Sequence, residues 1–281
     1  MCFVLVAVLC SDRMHVRDAA KKDVEMTSQP LTADTSLELV RRSVPSTTFD
    51  SSQWRRYFEE NRKLRPAVRL PNEIALDESL QASLISSFQR FQIGETGEGR
   101  HLRKYAKKYG DPEYVQCVDM FIREEQSHAQ ILSQVILAMN GNLLTWHWTD
   151  FAFVCMRRML HLKTELLILL VAEVIGKCFY KYVADKVDHK PLEEVFSLIV
   201  LDEIMHLKFH TEFLAEQLRS YPWVVKHFVH CMWCLIFYTA CFAFVFDHRK
   251  ALKAMHISSA EFIETCSKTF HVKATRALGL E

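Results

Sequence analysis

A glutamate standing thirty residues ahead of a Glu-x-x-His sequence occurs twice in this chain, and the repetition constrains its fold more than any other feature. Glu95 precedes Glu125-Gln126-Ser127-His128, and Glu173 precedes Glu203-Ile204-Met205-His206. Midway through each interval lies a helix breaker, Gly110-Asp111-Pro112 in the first and Asp188-His189-Lys190-Pro191 in the second. Such sequences end one helix and start the next. Each acid is then about fifteen positions from its turn, roughly 22 Å at the rise of an α-helix. Two antiparallel hairpins therefore carry their carboxylates at equal heights, and stacking the hairpins gathers four Glu and two His around one point.

Apolar periodicity places these groups inside. Leu80, Leu84, Phe88, Phe91, Glu95, Glu98 and Leu102 step by three and four along a helix expected from about Asp77 to Tyr109. Val115, Val118, Ile122, Glu125, Ala129 and Leu132 do the same from about Pro112 to Met139, with His128 beside the seam. From Leu166 to Ile175 every position except Glu173 is apolar, so that helix is surrounded by protein. Leu192, Phe196, Ile199, Glu203, His206, His210 and Phe213 form the fourth stripe. An ionised carboxylate in apolar surroundings must be neutralised, paired or bound to metal. Each Glu-x-x-His alone reads more readily as a solvated face with an incidental i, i+3 pair. Four acids on four apolar stripes do not read that way, and oxygen with imidazole suits Fe or Mn better than a thiolate-seeking metal.

Gly94-Glu95-Thr96, Glu124-Glu125-x-x-His128, Glu173 and Asp202-Glu203-x-x-His206 resemble the ligand pattern of the ferritin-like superfamily of di-iron and di-manganese carboxylate bundles, over residues 77 to 220. The resemblance implies an all-α fold: a ferritin-like four-helix bundle with additional C-terminal helices and a mobile N-terminal extension. It implies two Fe ions, with Mn or mixed Mn/Fe as alternatives. Glu95, Glu125 and His128 would serve one metal, Glu173, Glu203 and His206 the other, and Glu125 and Glu203 would bridge. Glu98 is either a further ligand or an acid behind the ligands. Glu124 and Asp202 resemble the acids that take a proton from the non-ligating nitrogen of a metal-bound His, and otherwise read as surface acids. His210 is a third imidazole ligand or a packed histidine. Tyr180, two turns after Glu173, is a hydrogen-bond partner or redox-active group near the site, or ordinary core.

The chemistry so implied is an O2-dependent oxidoreductase of the oxygenase or hydroxylase type, acting on an apolar organic substrate. A rubrerythrin-like or ferritin-like peroxidase or ferroxidase, working on peroxide or iron, is the alternative. A third reading is a non-catalytic bundle stabilised by metal or attached to a membrane. No flavin, haem, iron–sulfur or rubredoxin-like motif is visible, so an oxygenase needs an external electron donor.

With 281 residues, 49% hydrophobic, and a net charge of +1, the chain can bury a sizeable core and carries no electrostatic footprint for nucleic acid. Residues 1–50 read as a flexible lead-in, with the apolar stretch 2–10 too short to span a bilayer and a targeting role for it left open. Residues 51–76 read as a short helix and strap, 77–220 as the bundle, and 221–281 as an apolar helix plus a short helix. Residues 143–160 are expected to hold the crossing connection. Nine Cys without framework spacing, including a Cys231-x-x-Cys234 that lacks a second pair, suggest buried reduced thiols and a cytoplasmic protein. Residues 227–246 hold no Asp, Glu, Lys or Arg. They form a packed or homodimer-forming helix, a membrane-surface contact or a span.

Overall fold

Aspartate, proline and glycine set the helix limits. In the computed structural model, which describes residues 47–66, 69–97, 99–145 and 162–281, α1 (Ser51–Leu64) opens on Asp50. That carboxylate accepts from the Gln53 amide while the Gln53 side chain accepts from the Asp50 amide, a reciprocal cap. Asp77 opens α2 (Glu78–Glu95) by accepting from the amides of Ser79 and Leu80. α3 (Arg100–Tyr109) ends at Gly110, whose φ of 92° only glycine adopts without strain, and Asp111 with Pro112 then starts α4 (Pro112–Ala138). α5 (Leu162–Lys186) leads to a second sharp turn, after which the His189 ring caps α6 (Lys190–Leu218). The remaining helices are α7 (Trp223–Asp247), α8 (Arg249–Ala254) and α9 (Ser259–Leu278). No strand occurs among the described residues, so the fold is all-α.

Two differences from the sequence expectation follow from local chemistry. The helix expected to run unbroken from Asp77 to Tyr109 is divided into α2 and α3. Gly94, Gly97 and Gly99 each tax a continuous helix by about 1 kcal/mol, and Gly99 takes a φ of 60° so tightly against α4 that an added Cβ would lie 2.3 Å from Ile122 Cδ1. The C-terminal region ends in a long helix, α9, preceded by the six-residue α8, where one short helix was expected. The lead-in up to residue 46, Glu98 and most of the crossing connection, 146–161, lie outside the described residues.

α2 packs on α4 and α5 on α6, and the two hairpins meet where α3 touches α5 and α4 touches α6. Phe88, Phe179, Tyr180 and Phe196 fill the space between them, with Phe88 stacked on Phe196 at 4.9 Å between ring centres. α9 lies against α5 and α6, and α7 against α9 and α5. The side of α7 bearing Trp233, Phe237 and Cys241 is buried, Phe237 stacking on Phe270 at 4.1 Å. Its other side leaves Phe228 66%, Leu235 61%, Phe242 63% and Phe246 67% exposed. α7 is long and apolar enough to cross a membrane.

α1 and the turn before it are clamped to α6 by a buried ion pair. Lys208 and Glu212, one helical turn apart, bond each other. Lys208 also donates to the Thr47 carbonyl at 2.9 Å and lies 4.3 Å from the Phe49 ring centre, while Glu212 accepts from the Phe49 amide at 3.1 Å and the Trp54 indole at 3.0 Å. Removing one partner leaves the other charged in the core. Glu212→Ala should lose about 3–5 kcal/mol in urea unfolding, and Lys208→Met with Glu212→Leu should recover most of that loss.

Candidate metal centre

Each acid of the repeated pattern arrives from its own helix: Glu95 from the last turn of α2, Glu125 and His128 from the middle of α4, Glu173 from α5, and Glu203 and His206 from α6. The structure brings all six together. Donor atoms of Glu95, Glu125 and His128 lie within 4.8 Å of one another, as do those of Glu125, Glu173, Glu203 and His206. Glu125 belongs to both sets. His128 Nδ1 is 3.3 Å from Glu203 Oε1 and 3.7 Å from Glu125 Oε1. His206 Nδ1 is 3.0 Å from Glu125 Oε1, 3.8 Å from Glu173 Oε2 and 3.9 Å from Glu203 Oε2. Glu125 and Glu203 thus each stand between the two imidazoles.

Both rings turn Nδ1 inward and Nε2 outward. His128 Nε2 lies 3.0 Å from Asp202 Oδ2, and His206 Nε2 lies 2.8 Å from Glu124 Oε2. The partners are exchanged: the acid beside Glu203 holds the imidazole of α4, and the acid beside Glu125 holds the imidazole of α6. Tyr180, fully buried, donates to Glu95 Oε1 at 2.8 Å. His210 is buried between Phe121 and Phe209 and is not part of either donor cluster. Glu98 lies outside the described residues.

Sequence reasoning missed the cover that α1 supplies. Asn61 Nδ2 bonds Glu124 at 2.8 Å and Asp202 at 3.1 Å, and Arg65 pairs with Asp202 at 2.7 Å. The signal was present: Trp54, Phe58, Asn61 and Arg65 continue one stripe by threes and fours, so polar residues extend an apolar face as the glutamates do in the four longer helices. It also missed Glu165, buried on α5 and bonded to His101 of α3 at 3.1 Å.

Burial and crowding decide the protonation of the cluster. Burial and the adjacent Glu125 hold the Glu95 carboxyl well above the ordinary range. Burial and Glu173 do the same to Glu203, and raise Glu125. Burial opposes ionisation of Glu173, yet close contacts with Glu203 and His206 hold it at about 2. Asp202, likewise buried, is held at about 2 by Arg65 and His128. Burial works against an imidazolium at His128, but Asp202 and Glu203 raise it to about 9, and Glu124 with Glu125 raises His206 well above its usual value.

The donor set fits a pair of hard, oxygen-preferring metal ions. His206 Nδ1 and Glu125 Oε1 face each other at 3.0 Å, and together with His128 Nδ1 and Glu173 Oε2 they are buried with no well-aligned hydrogen bond, a state that costs free energy for each atom unless something else satisfies it. All four belong to the converging clusters. A cleft of about 60 Å³, lined by Gly94, Gly97, Gly99, Phe121 and Leu169, reaches Glu95 and Glu125 through the break between α2 and α3. Comparison with protein-family models, with curated proteins and with solved structures gives no match.

The proton inventory fixes a pH dependence. Glu95, Glu203 and both imidazoles bind protons more tightly folded than unfolded, so their contribution is full at low pH. It is lost as pH rises, above 4.5 for the carboxyls and from 6.5 through about 9 for His128. Glu173 and Asp202 act in the opposite sense, giving stability above 4.5 and 3.8 that disappears as pH falls toward about 2. Chelator-treated protein should therefore melt at a higher temperature near about pH 5 than near about pH 9, and Glu203→Ala should flatten the difference.

Proposed function

We propose that this protein is a di-iron, O2-dependent oxidoreductase of the oxygenase or hydroxylase type, built on a ferritin-like four-helix bundle. Its substrate would be an apolar organic molecule. The observation that carries the reading is the convergence of six carboxylate and imidazole donors from four helices into two clusters that share Glu125. Manganese or a mixed Mn/Fe pair suits the same oxygen-rich donors.

Glu95, Glu125, His128, Glu173, Glu203 and His206 would hold the ions, the two imidazoles through the Nδ1 atoms that face the cluster. Two irons held there would supply the paired electrons that reduce O2. The protein's own groups set the conditions. Asp202 and Glu124 fix the ring orientation of His128 and His206 and raise their basicity. Arg65 and Asn61 hold those acids in turn, and Tyr180 fixes the rotamer of Glu95. Phe58, Phe121 and Phe209 keep bulk water from the imidazole side. An external electron donor would return the site to its reduced state, and a cytoplasmic location matches the unpaired cysteines among the described residues.

One observation favours the second reading, a peroxidase or ferroxidase. The cleft of about 60 Å³ admits O2, peroxide or a few waters, whereas pockets for organic ligands run to about 300–1,000 Å³. The oxygenase reading requires the α2–α3 break to open around its glycines.

Purified protein should carry about two Fe or Mn per chain, and Glu203→Ala should lose them. Metal-free wild-type protein that is folded and indifferent to Glu203→Ala would remove the reading. O2 consumed by the ferrous protein with only ferric product, and unchanged by any organic substrate, would select the ferroxidase. Asp202→Asn keeps the shape but weakens the hold on His128, and should raise the metal dissociation constant about 10- to 100-fold. Activity that survives Glu173→Ala would exclude the carboxylate centre from the mechanism.

A further inference from the structure

A second group of donors lies between α7 and α9, away from the carboxylate cluster. His230 and Cys234 are one helical turn apart on α7, and His271 faces them from α9. One donor atom from each lies within 4.8 Å of the others. His230 Nε2 is 3.7 Å from Cys234 Sγ. A tetrahedral ion with bonds of about 2.0–2.1 Å to nitrogen and about 2.3 Å to sulfur separates such a pair by about 3.6 Å, so these two atoms already stand at the spacing an ion imposes. The His230 and His271 rings are 6.0 Å apart between centres.

The surroundings hold this arrangement in place. His230, Cys234 and Tyr238 form one column on α7 and Ser267 with His271 a facing column on α9, each stepping by four. The Tyr238 hydroxyl lies 3.0 Å from Ser267 Oγ and 3.2 Å from His271 Nε2, which orients the His271 ring. Beneath the columns Trp233 and Phe237 pack on Phe270, so the two helices are in fixed register. His230, Cys234 and His271 are all partly exposed, leaving a route for an ion and for a fourth ligand.

Cys231-x-x-Cys234 lacks a second cysteine pair, and its spacing alone suggests buried reduced thiols. Cys231 is exposed, and the fold gives Cys234 two histidine neighbours instead.

We propose that His230, Cys234 and His271 form a second metal site, which takes one borderline-soft divalent ion of the zinc class with water in the fourth position. Two imidazoles and a thiolate select such an ion, while the oxygen-rich cluster selects a harder one, so the two sites sort metals by donor type. On binding, Cys234 gives up its thiol proton to solvent and the ion joins α7 to α9.

Cobalt(II) is the probe, because a cobalt–thiolate bond gives a sulfur-to-metal charge-transfer absorption that carboxylate and imidazole ligands do not. Titrated into the full-length protein, it should produce that band at one equivalent, displaced by zinc. Glu203→Ala and Cys231→Ser should keep the band, and Cys234→Ser should abolish it with helicity unchanged. His271→Ala should weaken cobalt binding by about tenfold or more. Zinc should raise the melting temperature of wild type and not of Cys234→Ser. Absence of the sulfur band in wild type, its survival in Cys234→Ser, or its loss in Cys231→Ser alone would each overturn the site.

Discussion

The whole arrangement depends on the cost of putting four carboxylates and two imidazoles into a region from which water is excluded. Ionised and unpaired, each would cost several kcal/mol. The chain meets that cost in layers. Within the cluster, protons on Glu95, Glu203 and both imidazoles bring the charge close to balance. Around it, Asp202 and Glu124 take the outer ring nitrogens. Outside those, Asn61 of α1 and Arg65 just past its end meet the acids at the edge of the core. A divalent ion would replace the protons of the innermost layer and leave the outer two as they are.

This layering explains why α1 is fastened so firmly. Its polar end caps the acids behind the imidazoles, and its aromatic end is held by Lys208 and Glu212. Lys208 and Glu212 alternate with His206 and His210 along α6, so one helix carries both an inner donor and the clamp for the cover. The Lys208–Glu212 pair has no reason to be buried for stability alone, since well-packed apolar residues would serve as well. It fixes the register of α1 on α6, which decides whether Asn61 reaches Glu124 and Asp202.

Much of this was legible in the residues. The thirty-residue spacing with a breaker at its midpoint located the hairpins, because helix rise and turn chemistry are local properties. The isolation of Glu173 among aliphatic neighbours marked it as an interior acid for the same reason. The division of α2 from α3 was legible only in part: three glycines signalled weakness, but the close approach of Gly99 to Ile122 is a tertiary fact. The exchange of Asp202 and Glu124 between hairpins was not legible, since spacing within one helix says nothing about which neighbour a side chain reaches. The pairing of Cys234 with His271 was hidden likewise, because thirty-seven residues and a turn separate them.

The exchanged partners bear on how such a chain can be divided. His128 depends on Asp202 and His206 on Glu124, so neither hairpin satisfies its own buried imidazole. Contacts that map i to j and j to i are those of a twofold axis, as at the interface of a symmetric dimer. One hairpin meeting a copy of itself would reproduce the same exchange with a single sequence. The present chain thus has the internal form of two fused halves, and a break in the connection between α4 and α5 would leave fragments that must find each other before either can close its core.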